Sequence, residues 1–600
     1  EDGKVHWKII GHLTDSTPGK ERMVPNDYFR RTFQDIWAME YPDDKLPPHE
    51  MHIGMYALTL GICEKTGLYS ILQKVYGYEY VNHVLDYAMF SILGRSDITQ
   101  LYESRMDREV LFSNKLYSDS WYSIFFSRKL TEDHHHLFKI RWTEHLVNRG
   151  LKKVWLSIDG SNNDCEARKS FLARFGFPKS HNKNKSIVGY MYAVDSESGM
   201  PVTYIVYDGS VPDCQAFQKM AAFLAGFDIE IEGVILDRGF AVEEVFQKIE
   251  DEQWKYVVML PTDTYGHTQM VKEHSEHIRW KSEHVLDNDA LFGIADEKKL
   301  FGNHDRISNI CLYFDGASGS GQSIKLIKKI QAAKRKAESA IENGKRTGIE
   351  KKLRKYLTIE GEGFEREVIC HYEEWDKSMA TSGFFSIAAS QGMNPQLVNS
   401  LYKKRDTSET QFCILKSQEG GNSTRVHKTS GIYSKFALLF ISSIIRFHIE
   451  QICKKCYLDT NPTIQDLDRI GLIYTAESKY EAVRNLTMEQ KELFSEFGIN
   501  QDDIERLAIE FNHRSRKDSR NPERKLPIEK TPLIRTNTRK VGRPLKEGRN
   551  VIRDTEVADY KKNDASSEIK SKGGRPKGRK DSKPRKPRSD KGKKRGSRKT

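Results

Sequence analysis

The sequence predicts an α/β protein with a helical N-terminal region and a long basic tail, on three observations. Five strand-like runs, VWLSID, IVGYMYAV, VTYIVYDG, GVILD and YVVML, fall between residues 151 and 261. Ahead of them, MYALTLGICEKTGLYSILQKV and WYSIFFSRKL carry apolar residues at helical spacing. Past residue 516 the chain turns to Lys, Arg, Pro, Gly and Ser, a composition that cannot offset the entropy of ordering and is expected to be disordered in isolation.

At 600 residues and 38% apolar the chain can bury several cores, and its length predicts three or four domains. The reading by segment is a helical region over 1–150, the first part of an α/β core over 151–261, an insertion over 262–380, the second part of the core over 381–455, a helical region over 456–515 and the tail over 516–600. The insertion is inferred from the 171 residues between Asp237 and Glu409, far more than one strand and helix require. It is expected to open with strands and then form a basic helical hairpin broken at Asn343-Gly344. Residues 325–355 hold 12 Lys/Arg against 3 Glu, a surplus that suits a DNA backbone as well as a solvated face. GFFSIAAS returns the chain to the core as a strand, and Asn394-Pro395 opens the next helix.

Charge is distributed unevenly. The whole chain is +13, and residues 571–600 alone hold 15 Lys/Arg and 2 Asp, so the first 570 residues balance to zero. Within the tail GGRPKGRK (573–580), with Arg575, Lys577 and Arg579, looks like an AT-hook, and VGRPLKEGR (541–549), with Arg543, is a weaker copy. A Gly-Arg-Pro core keeps the backbone narrow enough for arginine to enter a minor groove. The plainer reading is a polybasic tether for any polyanion.

No apolar run reaches about 18 residues, so no membrane span is expected, and FALLFISSII (436–445) reads as a buried helix. Eight scattered cysteines indicate a reducing compartment. Cys453 and Cys456 have half the spacing of a zinc site without a second pair nearby. His134, His135 and His136 stand at a helix start, and Trp155 and Trp375 read as packing residues. The chain begins EDGKVHWKII, with neither Met nor a signal-peptide pattern, and is expected to be trimmed.

The residues that carry chemistry lie in LYKKRDTSETQFCILK. Tyr402, Arg405, Glu409 and Lys416 fall at offsets 0, 3, 7 and 14, which one continuous helix would bring to one face. Arg405 and Glu409 at i, i+4 would also make an ordinary surface ion pair. Upstream, Asp159 in VWLSIDGS and Asp237 in GVILDRGF read as aspartates at strand ends. Alone, Asp159-Gly160 is commonly a turn and Asp237-Arg238 a loop ion pair. Asp164 and Asp213 compete as carboxylates, Asp213 reading better as an N-cap ahead of Phe217, Met220, Phe223 and Leu224.

In motif order and identity, residues of about 50 to 450 resemble the DDE insertion-sequence transposases with the Tyr-Arg-Glu-Lys signature, the IS-four-like superfamily. The resemblance implies a ribonuclease-H-like mixed sheet flanked by helices and interrupted by a β-plus-helical insertion. Its triad would fall on Asp159, Asp237 and Glu409, holding two Mg²⁺ (or Mn²⁺) ions. Tyr402, Arg405 and Lys416 would bind phosphates at the transposon end. Partners would be double-stranded DNA, both terminal inverted repeats and target, with a homodimer on paired ends. The setting would be cytoplasmic, nucleoid-associated and bacterial-type. Two divalent ions neutralise the entering and leaving oxygens of an in-line displacement, and hard cations prefer carboxylate oxygens. The triad should therefore converge at one end of a five-stranded mixed sheet. Two alternatives stay open: a silent DNA-binding protein derived from a transposase, and a ribonuclease-H-like nuclease without strand transfer.

Overall fold

The computed structural model describes residues 8–15, 22–33, 36, 50–167, 169–182, 184–287, 290–362, 365–406, 409–410, 423–424, 426–475, 479–482 and 485–516. Lys416, Arg543, Arg575, Lys577 and Arg579, and with them both hook-like motifs, lie outside the described residues.

All five expected core strands form: β1 (Val154–Cys165), β2 (Ile187–Asp195), β3 (Pro201–Asp208), β4 (Ile231–Leu236) and β5 (Lys255–Met259). They line up in the order β3-β2-β1-β4-β5. β1, β4 and β5 are parallel, whereas β2 and β3 run as antiparallel neighbours. β2 is buried along its entire length, and the near-continuous apolar reading of these strands follows from cover on both faces.

The sheet does not stop at five strands. β6 (Phe292–Lys299), β7 (Ile307–Phe314) and β8 (Phe384–Ala389) extend it antiparallel beyond β5 in the order β5-β8-β7-β6, and β9 (Ser423–Thr424) pairs with β1. Two of the strands expected in the insertion thus belong to the main sheet. Ile310, Leu312, Ile387 and Ala388 are fully buried, so pairing there completes the core. The segment also opens with a helix, Tyr265–Ile278, rather than with strands.

The basic helical hairpin is likewise corrected. One helix runs Gly316–Glu342, and after Gly344 at φ +67° the chain forms only a 3₁₀ turn at Lys351–Leu353 before the hairpin Leu357–Glu360/Glu367–Cys370. Tyr356 and Leu357 fold back onto Ile330, with Trp375 beside them, making a small separate core.

In the N-terminal region the helices Gly54–Thr66, Leu68–Gly94 and Glu132–Asn148 pack around the helix Thr429–Lys455. Gly67 at φ +73° lets the first helix turn directly into the second. By length and composition Thr429–Lys455 could cross a membrane, but 83% of its apolar window is buried in protein. His135 is buried between the Tyr76 hydroxyl (3.1 Å) and Ser434 Oγ (2.9 Å), while His134 closes a capping box with Thr131; both are structural. Cys453 is buried within the same helical layer, and the seven cysteines among the described residues are unbridged. Residues 456–515 contain two strands, Gly471–Tyr474 and Tyr480–Ala482, as well as helices; the first strand pairs with Glu50–His52.

Candidate active site

Strand register brings the first two carboxylates together. In the parallel pair, Trp155 lies opposite Gly233 and Ser157 opposite Ile235, and two residues further along come Asp159 and Asp237. Adjacent strands are about 4.8 Å apart, so both side chains project from one face at neighbouring positions. Asp159 is not at a strand end as the Asp-Gly pattern suggested. β1 continues to Cys165, paired with β2 on one side and, only at Asp164 and Cys165, with β9 on the other, so Asp159 sits where its β4 neighbour has run out. Asp237 follows β4 immediately and opens a 3₁₀ turn. This is the carboxyl end of the parallel strands, where open α/β sheets leave a crevice.

The third element comes from the β7 end of the sheet, over the same face as Trp155 and Ile235. Helix α1 (Pro395–Lys403) is capped by Asn394, whose side chain accepts from Leu397 N at 2.8 Å. It starts over β7, where Tyr313 donates to Pro395 O at 2.9 Å. Val398 and Leu401 bury against Ile235, Val257 and Ile387, a contribution of about 1.5–3 kcal/mol each. At the other end the Tyr402 hydroxyl reaches Met259 Sδ at 3.5 Å. Burial pushes that phenol up to about 12.

The helix does not run on unbroken through the motif. It tightens after Lys403, with Arg405 N bonding to Tyr402 O at 2.9 Å, and the helical bond from Glu409 N to Arg405 O (3.1 Å) resumes beyond. Tyr402, Arg405 and Glu409 nevertheless stay together. The Arg405 guanidinium lies 5.6 Å from the Tyr402 ring centroid, ion-pairs with Glu409 and approaches Asp159 at 3.8 Å. Its side chain is only 13% exposed, so the pair with Glu409 is no ordinary surface bridge. One guanidinium thus spans carboxylates 250 residues apart in sequence.

Electrostatics mark Asp159 in particular. Burial raises its carboxyl above the usual range, opposed by Lys179, Arg405 and the Gly160 N–H (2.7 Å), and reinforced by Asp237. Among the described residues, two groups hold their ligand atoms within 4.8 Å of one another, His52/Glu109/Asp468 and Glu273/His274/Asp296, and Asp159, Asp237 and Glu409 do not form a third. In the first, His52 Nδ1 and Glu109 Oε1 are already hydrogen-bonded at 3.0 Å; in the second, Lys298 ion-pairs with both acids. The Asp159, Asp237 and Glu409 set is more open, arranged around Arg405, and its oxygens are the hard donors a divalent cation takes.

One neighbour was not singled out from sequence, and another was given a different role. Lys179 bonds to Gly160 O and faces Asp159; its place before the Asn/Lys run SHNKNKS was the available signal. Asp213 is not an N-cap: Pro212 holds that position and Asp213 is the first helical residue. Its carboxylate accepts from Tyr207 at 2.5 Å and lies over Gly160, where a Cβ would come 2.7 Å from Asp213 Cγ. Asp164 instead accepts from Ser180 Oγ at 2.7 Å. The loop pair expected for Asp237 is present but long, at 3.9 Å from Arg238.

Residues 156–445 match the family described as "Transposase DDE domain", a span of just under half the chain that takes in Asp159, Asp237, Arg405 and Glu409. That match supports a DDE transposase domain, a class that generally uses divalent metal ions. The chain is also similar to a piggyBac transposase solved as a synaptic complex with hairpin DNA, at 10% identity over 72% of this chain and 76% of that one. With a TM-score of 0.30, that likeness carries no argument. No curated protein matches the chain.

Proposed function

We propose that this protein is a DNA transposase of the Tyr-Arg-Glu-Lys type, cutting at transposon ends and joining the freed 3′-OH to target DNA. The observation that carries the reading is the register match of Asp159 with Asp237, closed by Arg405 and Glu409 from the segment that follows a helix crossing the sheet. The strand order β3-β2-β1-β4-β5, with its two antiparallel members first, is the arrangement expected of a ribonuclease-H-like core and supports the same reading.

Asp159, Asp237 and Glu409 would hold two Mg²⁺ or Mn²⁺ ions. When bound, these supply charge neutralisation at the attacking and leaving oxygens and lower the pKa of the attacking water or 3′-OH. The donor set fits: three carboxylates, one of them in a desolvated position that disfavours uncompensated negative charge. The chain's own side chains do the remaining work. Arg405, a planar fork, and Lys179, a point charge, orient phosphate oxygens beside the acids. Tyr402 fixes the guanidinium from one side. Lys416, and Arg543, Arg575, Lys577 and Arg579 of the tail, add phosphate and minor-groove contacts. A homodimer pairs two ends, and the protein acts in the bacterial cytoplasm on nucleoid DNA.

Incubating the full chain with duplex carrying the inverted repeats that flank its gene tests the proposal. Divalent-dependent nicking followed by joined products is expected; binding without nicking favours the silent DNA-binding alternative, and nicking without joining favours the nuclease. Deleting residues 571–600 should weaken non-specific binding and make its salt dependence shallower while sparing cleavage of a pre-bound end. Arg575→Ala should cost more on A·T-rich than on G·C-rich duplex; equal losses would make the tail a plain tether.

A further inference from the structure

Beside the carboxylates, the segment joining β1 to β2 carries Phe175 and Phe177, 70% and 95% exposed. Single exposed apolar residues are ordinary, but these flank a glycine that is firmly pinned. A Cβ on Gly176 would lie 2.1 Å from Gly209 O, so the two backbones are in direct contact. Arg174 and Ile187 exchange two backbone hydrogen bonds at 2.7 and 3.1 Å. On the other flank Asn162 of β1 donates to Phe177 O at 3.0 Å and accepts from Lys179 N at 2.9 Å. Leu172 of the same segment turns inward and is 2% exposed. The turn is therefore fastened at both ends and by its central residue, and it presents two aromatic rings to solvent. Each forgoes much of the stabilisation that burial would bring.

Charge indicates the occupant. Arg174, 55% exposed and 3.6 Å from Asp208, and Lys179 bracket the rings, and the Lys179 ammonium already faces Asp159. Apolar side chains between basic ones suit a polyanion with an apolar interior: phosphates outside, stacked bases within. We propose that Phe175 and Phe177 form a wedge that enters between base pairs of the duplex beside the carboxylates, unstacking one step and bending the DNA toward Asp159. Apolar wedges inserted this way cost base stacking and gain contact along the bent duplex. A bend also turns the phosphodiester out of the regular helix, giving room for in-line attack. This inference rests on the DNA reading above.

The test uses the full chain and a short duplex with 2-aminopurine at successive steps and a dye at each end. Wild-type binding should raise 2-aminopurine fluorescence severalfold at one step and shorten the end-to-end distance. Phe175→Ala/Phe177→Ala should abolish both signals, leave the slope of affinity against salt unchanged because no charge is lost, and slow nicking. A mismatch at the same step, already unstacked, should restore nicking by the double variant. A double variant that keeps the fluorescence rise overturns the wedge. So does one whose only change is weaker self-association without DNA, which would make the rings a face between copies. Wild type that binds with its bases still stacked overturns the wedge alone; wild type that binds no DNA overturns the proposed function with it.

Discussion

Lys435 and Asp97 meet inside the helical layer with side chains 4% and 3% exposed, whereas Arg405 meets Asp159 at the end of the sheet at 13% and 19%. The first pairs a cation with an anion, Lys435 within Thr429–Lys455 and Asp97 in the link that follows Leu68–Gly94. The second is unbalanced: Arg405, Lys179 and Arg238, the last 3.9 Å from Asp237, face Asp159, Asp237, Glu409 and the Asp213 carboxylate over Gly160, and Glu409 remains 51% exposed. A buried pair that is matched and closed serves the fold, because breaking it strands a charge. A half-buried set with surplus negative charge and an open side is costly unless something positive completes it.

The largest expected effects separate the two. Asp159→Asn, Asp237→Asn or Glu409→Gln should lower DNA nicking by on the order of a thousandfold or more, the several kcal/mol that metal-assisted charge neutralisation supplies, with thermal unfolding scarcely changed. Lys435→Ala should do the reverse, costing about 3–5 kcal/mol of stability by leaving Asp97 buried without its partner. Denaturant melts beside nicking rates check both. Full nicking by any of the three carboxylate variants would remove that residue from the site.

Arg405 comes next, as a cation that touches two of the acids. Arg405→Ala should slow nicking by roughly tenfold to a hundredfold, the worth of one or two hydrogen bonds to a charged group, and Arg405→Lys should recover only part because an ammonium has no planar fork. Unchanged nicking would reduce Arg405 to a local brace for Glu409. A smaller, steric effect is expected at Gly160, where any Cβ collides with the Asp213 carboxylate. Gly160→Ala should cost about 1–3 kcal/mol by overpacking and depress nicking by displacing Asp159. Gly160→Ala with Asp213→Ala should recover stability, and failure to do so would place the clash elsewhere.

How legible these features were in the sequence depended on the range of the interaction. The five core strands follow from β-branched and aromatic runs, a local property, and each formed where its residues indicated. Arg405–Glu409 was visible as an i, i+4 spacing. The approach of Arg405 to Asp159 was not, because it depends on a helix crossing from β7 to β5, which no local pattern encodes. The same limit explains β6 and β7. Their residues read as strands of an insertion, and only partnership with β8, some 75 residues downstream, decides that they join the main sheet. Gly160 and Asp213 show the limit at a single contact. Asp-Gly has a well-founded reading as a turn, yet this glycine is needed in mid-strand by a carboxylate from another element.

The smallest expected effect concerns pH and tests the claim that the open set is costly by itself. Burial raises the Asp159 carboxyl above its unfolded range, so between the ordinary aspartate pKa and the raised one the folded chain binds more protons than the unfolded chain. Stability must then fall as pH climbs through that window, and the ionised Asp159 is a net cost at neutral pH. Asp159→Asn removes this slope and should melt slightly higher than wild type near neutrality, with the difference vanishing in acid. Arg405→Ala should extend the window upward, since Arg405 is among the groups holding Asp159 down. Thermal melts of the three proteins across the acid-to-neutral range, in chelator, supply the comparison. If Asp159→Asn is instead the less stable protein at neutral pH, then Lys179 and Arg405 outweigh burial, and the acids form a satisfied ion-pair network like Lys435–Asp97 rather than a site poised for a cation.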